Sequence, residues 1–109
     1  MDLEDYQRGA LRTAASRDKK NELLHLVLGL VGESGEIAEK FKKWVRDLDC
    51  DESRIDRAAV AKELGDVLWY VAVLADYLDL SLDDIATANL AKLASRQERG
   101  VLSGSGDNR

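Results

Sequence analysis

Two pairs of carboxylates stand where metal ions could be held. Glu33 and Glu36 lie in GLVGESGEIAEKFKKW, and Glu63 and Asp66 lie in AAVAKELGDVLWYVAVLA. Each pair is spaced i, i+3, a rotation of about 300° on an α-helix, so both side chains share one face. Like charges so placed repel. Both pairs also sit inside apolar runs, where an unpartnered carboxylate is costly to bury. Four carboxylates converging from two neighbouring helices make sense around divalent ions. Hard oxygen donors favour Mg²⁺ or Mn²⁺ over zinc or copper. A di-iron bundle would need Glu-x-x-His motifs on two helices. The single histidine of this chain, His25, precedes the glutamates.

Cations follow the carboxylates. His25, Gly29, Glu33, Glu36, Lys40 and Lys43 fall within about 80° of one another on a helix. Glu36 and Lys40 also read as an ordinary i, i+4 surface pair. His25 reads as a packed or interface residue rather than a ligand. Gly29, Gly32 and Gly35 each cost about 1 kcal/mol against alanine in a helix interior. Such glycines are easier to accept where a neighbour or a ligand approaches the backbone. Further along, Asn89, Lys92 and Arg96 share one helical stripe. By itself that stripe is a solvated polar face. Beside a carboxylate metal site it becomes a triphosphate contact, since Arg grips phosphate oxygens in a bidentate way.

The elements that must position these groups are helical. The chain has 109 residues, no proline and few aromatics, which favours one all-α domain, four-helix bundle-like. The first helix is expected over about Leu3 to Ser16, capped by Asp2. The second runs from an Asn21 cap to about Asp47. The third covers about Ile55 to Leu78. The fourth starts near Leu82, after a Ser81–Asp84 capping box, and ends by Gly100. Residues 1–99 form the domain. Residues 100–109, GVLSGSGDNR, form a Gly- and Ser-rich tail that is mobile when the site is empty and orders over a bound triphosphate.

Composition excludes several classes. A formal charge of −5 and a pI near 4.9 argue against a nucleic-acid-binding surface. One cysteine, Cys50, allows no intrachain disulfide and makes no thiolate zinc site alone; a reduced, cytoplasmic setting fits. MDLEDYQRG lacks a signal-peptide apolar stretch, and the apolar run 67–75 is too short to span a bilayer. That run, Val67 to Ala75, is apolar nearly all round and must be covered on more than one side, so an oligomer is expected. Trp69 and Tyr70 within it read first as core or interface residues.

Glu33-x-x-Glu36, 26 intervening residues, then Glu63-x-x-Asp66 resembles the signature of the MazG-like all-α nucleoside triphosphate pyrophosphohydrolases. GLVGESGEIAEKFKKW and KELGDVLWYVAVLA look like that family's two central helices, and NLAKLASR looks like its later helix. The likeness covers about residues 22–109; the first helix matches loosely. It implies a homodimer or homotetramer and Mg²⁺-dependent hydrolysis of a nucleoside triphosphate to monophosphate and pyrophosphate. It implies Glu33, Glu36, Glu63 and Asp66 as metal ligands, with Glu33 or Glu36 accepting a proton from water. Lys40, Lys43, Asn89, Lys92 and Arg96 become phosphate or sugar contacts. His25, Trp69 and Tyr70 are candidates for the base pocket. Two other readings stay open: a non-catalytic helical oligomer that binds a partner through its apolar third helix, and a phosphoribosyl-ATP pyrophosphohydrolase.

Overall fold

A computed structural model describes residues 1–107; Asn108 and Arg109, the end of the tail's polar cluster, lie outside the described residues. Among the described residues there are four α-helices: α1 (Leu3–Leu11), α2 (Glu22–Asp47), α3 (Arg57–Tyr77) and α4 (Leu82–Glu98). A 3₁₀ turn, Glu52–Arg54, lies between α2 and α3. There is no strand among the described residues. The fold is all-α, as the composition predicts. No helix is long and apolar enough to cross a membrane among the described residues.

The helix ends are set by short polar side chains. Asp2 accepts from the Asp5 amide at 2.8 Å and Ser81 from the Asp84 amide at 3.2 Å, as the sequence predicts. Three boundaries differ. α1 stops at Leu11 rather than Ser16: the Thr13 hydroxyl takes the Ala10 carbonyl at 3.1 Å, a local bond that competes with helix. Asn21 precedes α2 but does not cap it through its side chain; it sits in the left-handed region at φ 64°. α3 begins at Arg57 rather than Ile55, because Asp56 accepts from the Ala59 amide at 3.0 Å while Ile55 is extended. At the far end Gly100, at φ 71°, closes α4: its amide donates to Gln97 O and the Val101 amide to Arg96 O. This is a Schellman motif closed by glycine.

α2 and α3 form the long pair. Gly29 meets Tyr70 and Lys40 meets Glu63, so the helices run antiparallel. α1 packs on α3 and α4, and α4 on the end of α3; α2 and α4 make no comparable contact. The core is Ala10, Leu26, Ala72, Val73 and Leu82. The buried Gln7 side chain ties three helices together: it donates to Ala72 O and Leu80 O and accepts from the Leu82 amide. Trp69 is a packing residue, its indole N–H donating to Ala10 O at 3.2 Å and Thr13 Oγ1 at 2.9 Å.

The mid-helix glycines separate into two kinds. A Cβ on Gly29 would lie 2.1 Å from a Tyr70 ring carbon, and that ring is itself edge-on to Trp69 at 4.9 Å. A Cβ on Gly32 or Gly35 would meet nothing within 4 Å. Gly29→Ala is therefore expected to lower the Tm: overpacking costs about 1–3 kcal/mol, and a contact this short falls at the upper end, above the ~1 kcal/mol gain in helix propensity. Gly35→Ala should raise the Tm through that gain alone. Thermal melts of both variants beside the parent check the pair.

Candidate functional site

Three of the four carboxylates converge. Glu33 on α2 and Glu63 and Asp66 on α3 each offer an oxygen within 4.8 Å of the others. The antiparallel pairing produces this: with Gly29 against Tyr70, the next turn of α2 brings Glu33 level with Asp66. Glu36, one turn further on, is exposed and not part of this group. The i, i+3 spacing puts it on the same face, but α2 continues past the point where the three oxygens meet.

The group carries negative charge that is only partly compensated. Partial burial holds the Glu33 carboxyl above its ordinary range, helped by repulsion from Asp66, Glu63 and Glu36 and by a hydrogen bond with Glu63. Lys40 lies 3.7 Å from Glu63 and offsets part of the charge. The sequence pairs Lys40 with Glu36 along the helix; the structure pairs it across helices with Glu63. The donors are all carboxylate oxygens on two rigid helices, crowded enough to repel. That set fits a hard divalent cation, which would relieve the repulsion.

The remaining candidates are dispersed. Lys40 and Lys43 line a cavity of about 230 Å³ with Phe41, Trp44, Arg54 and Ile55. Phe41 and Trp44 meet edge to face at 5.8 Å, and the Trp44 indole donates to Asp51 O at 2.7 Å. These rings were legible as an aromatic i, i+3 pair beside the lysines, but the spacing alone gives no hint that the 3₁₀ turn closes a cavity over them. Asn89 is exposed on α4. Lys92 and Arg96 form their ion pairs with Asp107 of the tail, not with the carboxylate group. His25 Nδ1 stands 2.5 Å from Glu22 Oε1, and its ring is edge-on to Tyr70 at 6.4 Å. His25, Trp69 and Tyr70 are thus packed among one another and α1, not grouped around the cavity.

Comparison with known proteins identifies the family. A family model described as the MazG nucleotide pyrophosphohydrolase domain matches residues 21–101. The Gene 37 protein of Mycobacterium phage L5 is 46% identical over 114 residues, covering 100% of both chains. The dCTP pyrophosphatase 1 proteins of Homo sapiens and Rattus norvegicus are 37% and 35% identical over 102 residues. Those matches cover 89% of this chain, which spans 58% of the length of either pyrophosphatase. No solved structure gives a significant match. The matched region holds the whole carboxylate group, and the chain belongs to the MazG family of nucleotide pyrophosphohydrolases, hydrolases of the nucleoside triphosphate pyrophosphatase class.

Proposed function

We propose that this chain hydrolyses a nucleoside or deoxynucleoside triphosphate to the monophosphate and pyrophosphate, using Mg²⁺ held by Glu33, Glu63 and Asp66, with Glu36 completing the set from α2. The observation that carries this reading is the convergence of three carboxylates from facing helices. Bound there, the ion would lower the pKa of a water and stabilise charge on the attacking and leaving oxygens. A carboxylate of the α2 pair, Glu33 or Glu36, accepts the water's proton. Lys40 touches the group through Glu63 and also borders the cavity. A triphosphate lying on the carboxylates continues past Lys40 and Lys43, and the rings of Phe41 and Trp44 take the base. Lys92, Arg96 and Asn89 contribute phosphate contacts from α4, where the cations stabilise charge on the transferring phosphoryl group. The working form is a homodimer or homotetramer, acting in the cytoplasm on the nucleotide pool.

The test is a panel of canonical and modified triphosphates with Mg²⁺, with dCTP first because two relatives carry that substrate in their names. Phosphoribosyl-ATP belongs in the same panel. Pyrophosphate and orthophosphate are measured separately. Pyrophosphate released in step with monophosphate is the expected result. Orthophosphate without pyrophosphate, or no turnover of any member, would refute the proposal.

A further inference from the structure

The tail does not hang free of α4. Gly100 ends the helix, and Gly106, at φ 81°, turns the chain so that Asp107 comes back onto the helix it has just left. Asp107 Oδ1 accepts from Lys92 Nζ at 3.2 Å and from Arg96 Nη2 at 3.3 Å. Arg96 Nη2 also donates to Asp107 O at 3.0 Å and to Gly106 O at 3.4 Å.

Arg96 is 4% exposed, yet among the described residues the partners of its guanidinium all belong to this short return of the tail. Its Nε is buried and has no hydrogen-bond partner among the described residues. A guanidinium offers donors in a planar fork, and its best partners are oxyanions that engage two of them together. One carboxylate oxygen on Nη2 leaves that fork half used. A buried donor left unmade is unfavourable, so the tail is an incomplete ligand for this cation. The Asp107 side chain is 84% exposed, and ion pairs so open to water are weak.

We propose that Lys92 and Arg96 form an oxyanion site for a phosphate group, which the chain keeps closed with Asp107 as a self-ligand. An arriving phosphate displaces the Asp107 carboxylate, takes the Lys92 ammonium and Arg96 Nη2, and also satisfies Nε. Substrate or pyrophosphate binding therefore carries the cost of releasing the tail, and the tail sets affinity without touching the reacting atoms. This rests on the reading above that α4 supplies phosphate contacts. It refines the expectation of a tail that is mobile when empty: Gly106 and Asp107 already lie against the cations, and the anion displaces them.

The test uses inorganic pyrophosphate alone, without metal or nucleotide, titrated calorimetrically into the full chain. Asp107→Asn should bind it about threefold to tenfold more tightly than the parent, and deletion of residues 101–109 should do the same. Arg96→Gln should bind it more weakly than either. Inorganic triphosphate and a non-hydrolysable nucleoside triphosphate, run as further arms, tell a bare phosphate site from one that also needs the base. Equal or weaker pyrophosphate binding by both tail variants would overturn the proposal, the more plainly if their Tm falls, since Asp107 would then be a structural clamp. Because no turnover is read, an inactive protein with tightened binding would sink the hydrolase reading and leave this one standing. Normal turnover with unaltered binding would do the reverse.

Discussion

Asp66→Asn is expected to stop pyrophosphate release while making the metal-free protein more resistant to heat. The two effects have one cause. Asp66 is the strongest of the charges that push the Glu33 carboxyl up, and both belong to the three oxygens gathered within 4.8 Å. Replacing it with a neutral isostere removes repulsion from the empty site, so the Tm of the metal-free variant rises. The same change removes a ligand from any ion held there. Losing a residue that merely orients a metal ligand costs about 10- to 100-fold, so losing a ligand should lower turnover by at least ~100-fold. Glu63→Gln should also be inactive, but its Tm is a less clean readout because the change breaks the ion pair with Lys40. Added Mn²⁺ should raise the Tm of the parent and leave that of Asp66→Asn unmoved. Turnover of Asp66→Asn within about tenfold of the parent would end the metal-site assignment. A fall in Tm of the metal-free variant would show that the three carboxylates are not in mutual repulsion.

How much of this was legible in the sequence depends on the range of the forces involved. The caps at Asp2 and Ser81 are local, decided within three residues, and were read correctly. The end of α1 was not, because Thr13 has two fates. It can continue a helix or bond back to Ala10 O, and Trp69, 56 residues away, supplies the tertiary anchor that favours the second. Asn21 was read as a cap on residue type alone, whereas the loop before α2 holds it in a left-handed conformation that its type also tolerates. For the site, the i, i+3 pairs placed two faces correctly, but the register between α2 and α3 decides which oxygens meet. That register follows from Gly29 receiving the Tyr70 ring, a contact between residues whose types alone do not announce it. The apolar circumference of Val67 to Ala75 predicts cover on more than one side and hence an oligomer. Within the protomer α1 and α2 already cover much of it: Ala72, Val73 and Ala75 are buried, and Leu68 is the most open large side chain. The uncovered apolar surface lies elsewhere, chiefly on the first half of α2.

That surface carries the second large prediction: a dimer or larger assembly in solution, split by charge on α2. Leu24, Leu28 and Val31 recur at i, i+4, i+7 and are 57%, 60% and 66% exposed, with Leu23 and Val27 open beside them. A row of this kind on one helix is a face that a soluble monomer rarely leaves to water. The shape agrees. The Cα radius of gyration is 17.0 Å, whereas a compact chain of this length comes to about 13 Å. α4 packs on α1 and the end of α3 and leaves the face of α2 away from α3 uncovered. A second copy would supply matching apolar faces, Leu64 and Leu68 on α3 and Leu90 on α4 among them. Leu28→Asp with Val31→Asp should turn the assembly into a monomer by light scattering, with a lower Tm, since burial of large apolar side chains is lost. A parent that is monomeric at micromolar concentration would refute this outright. The same geometry makes a sharper demand on catalysis. Within one protomer Lys92 and Arg96 make their ion pairs with the tail rather than with the carboxylates, and α2 and α4 make no extensive contact. If α4 of one copy serves the carboxylates of another, two inactive variants can repair each other. Asp66→Asn mixed with Lys92→Ala, unfolded and refolded together, should recover part of the parent's turnover, because some mixed assemblies hold one site with both sets of groups intact. No recovery from assemblies shown to have exchanged subunits would mean that each protomer builds its site from its own α4.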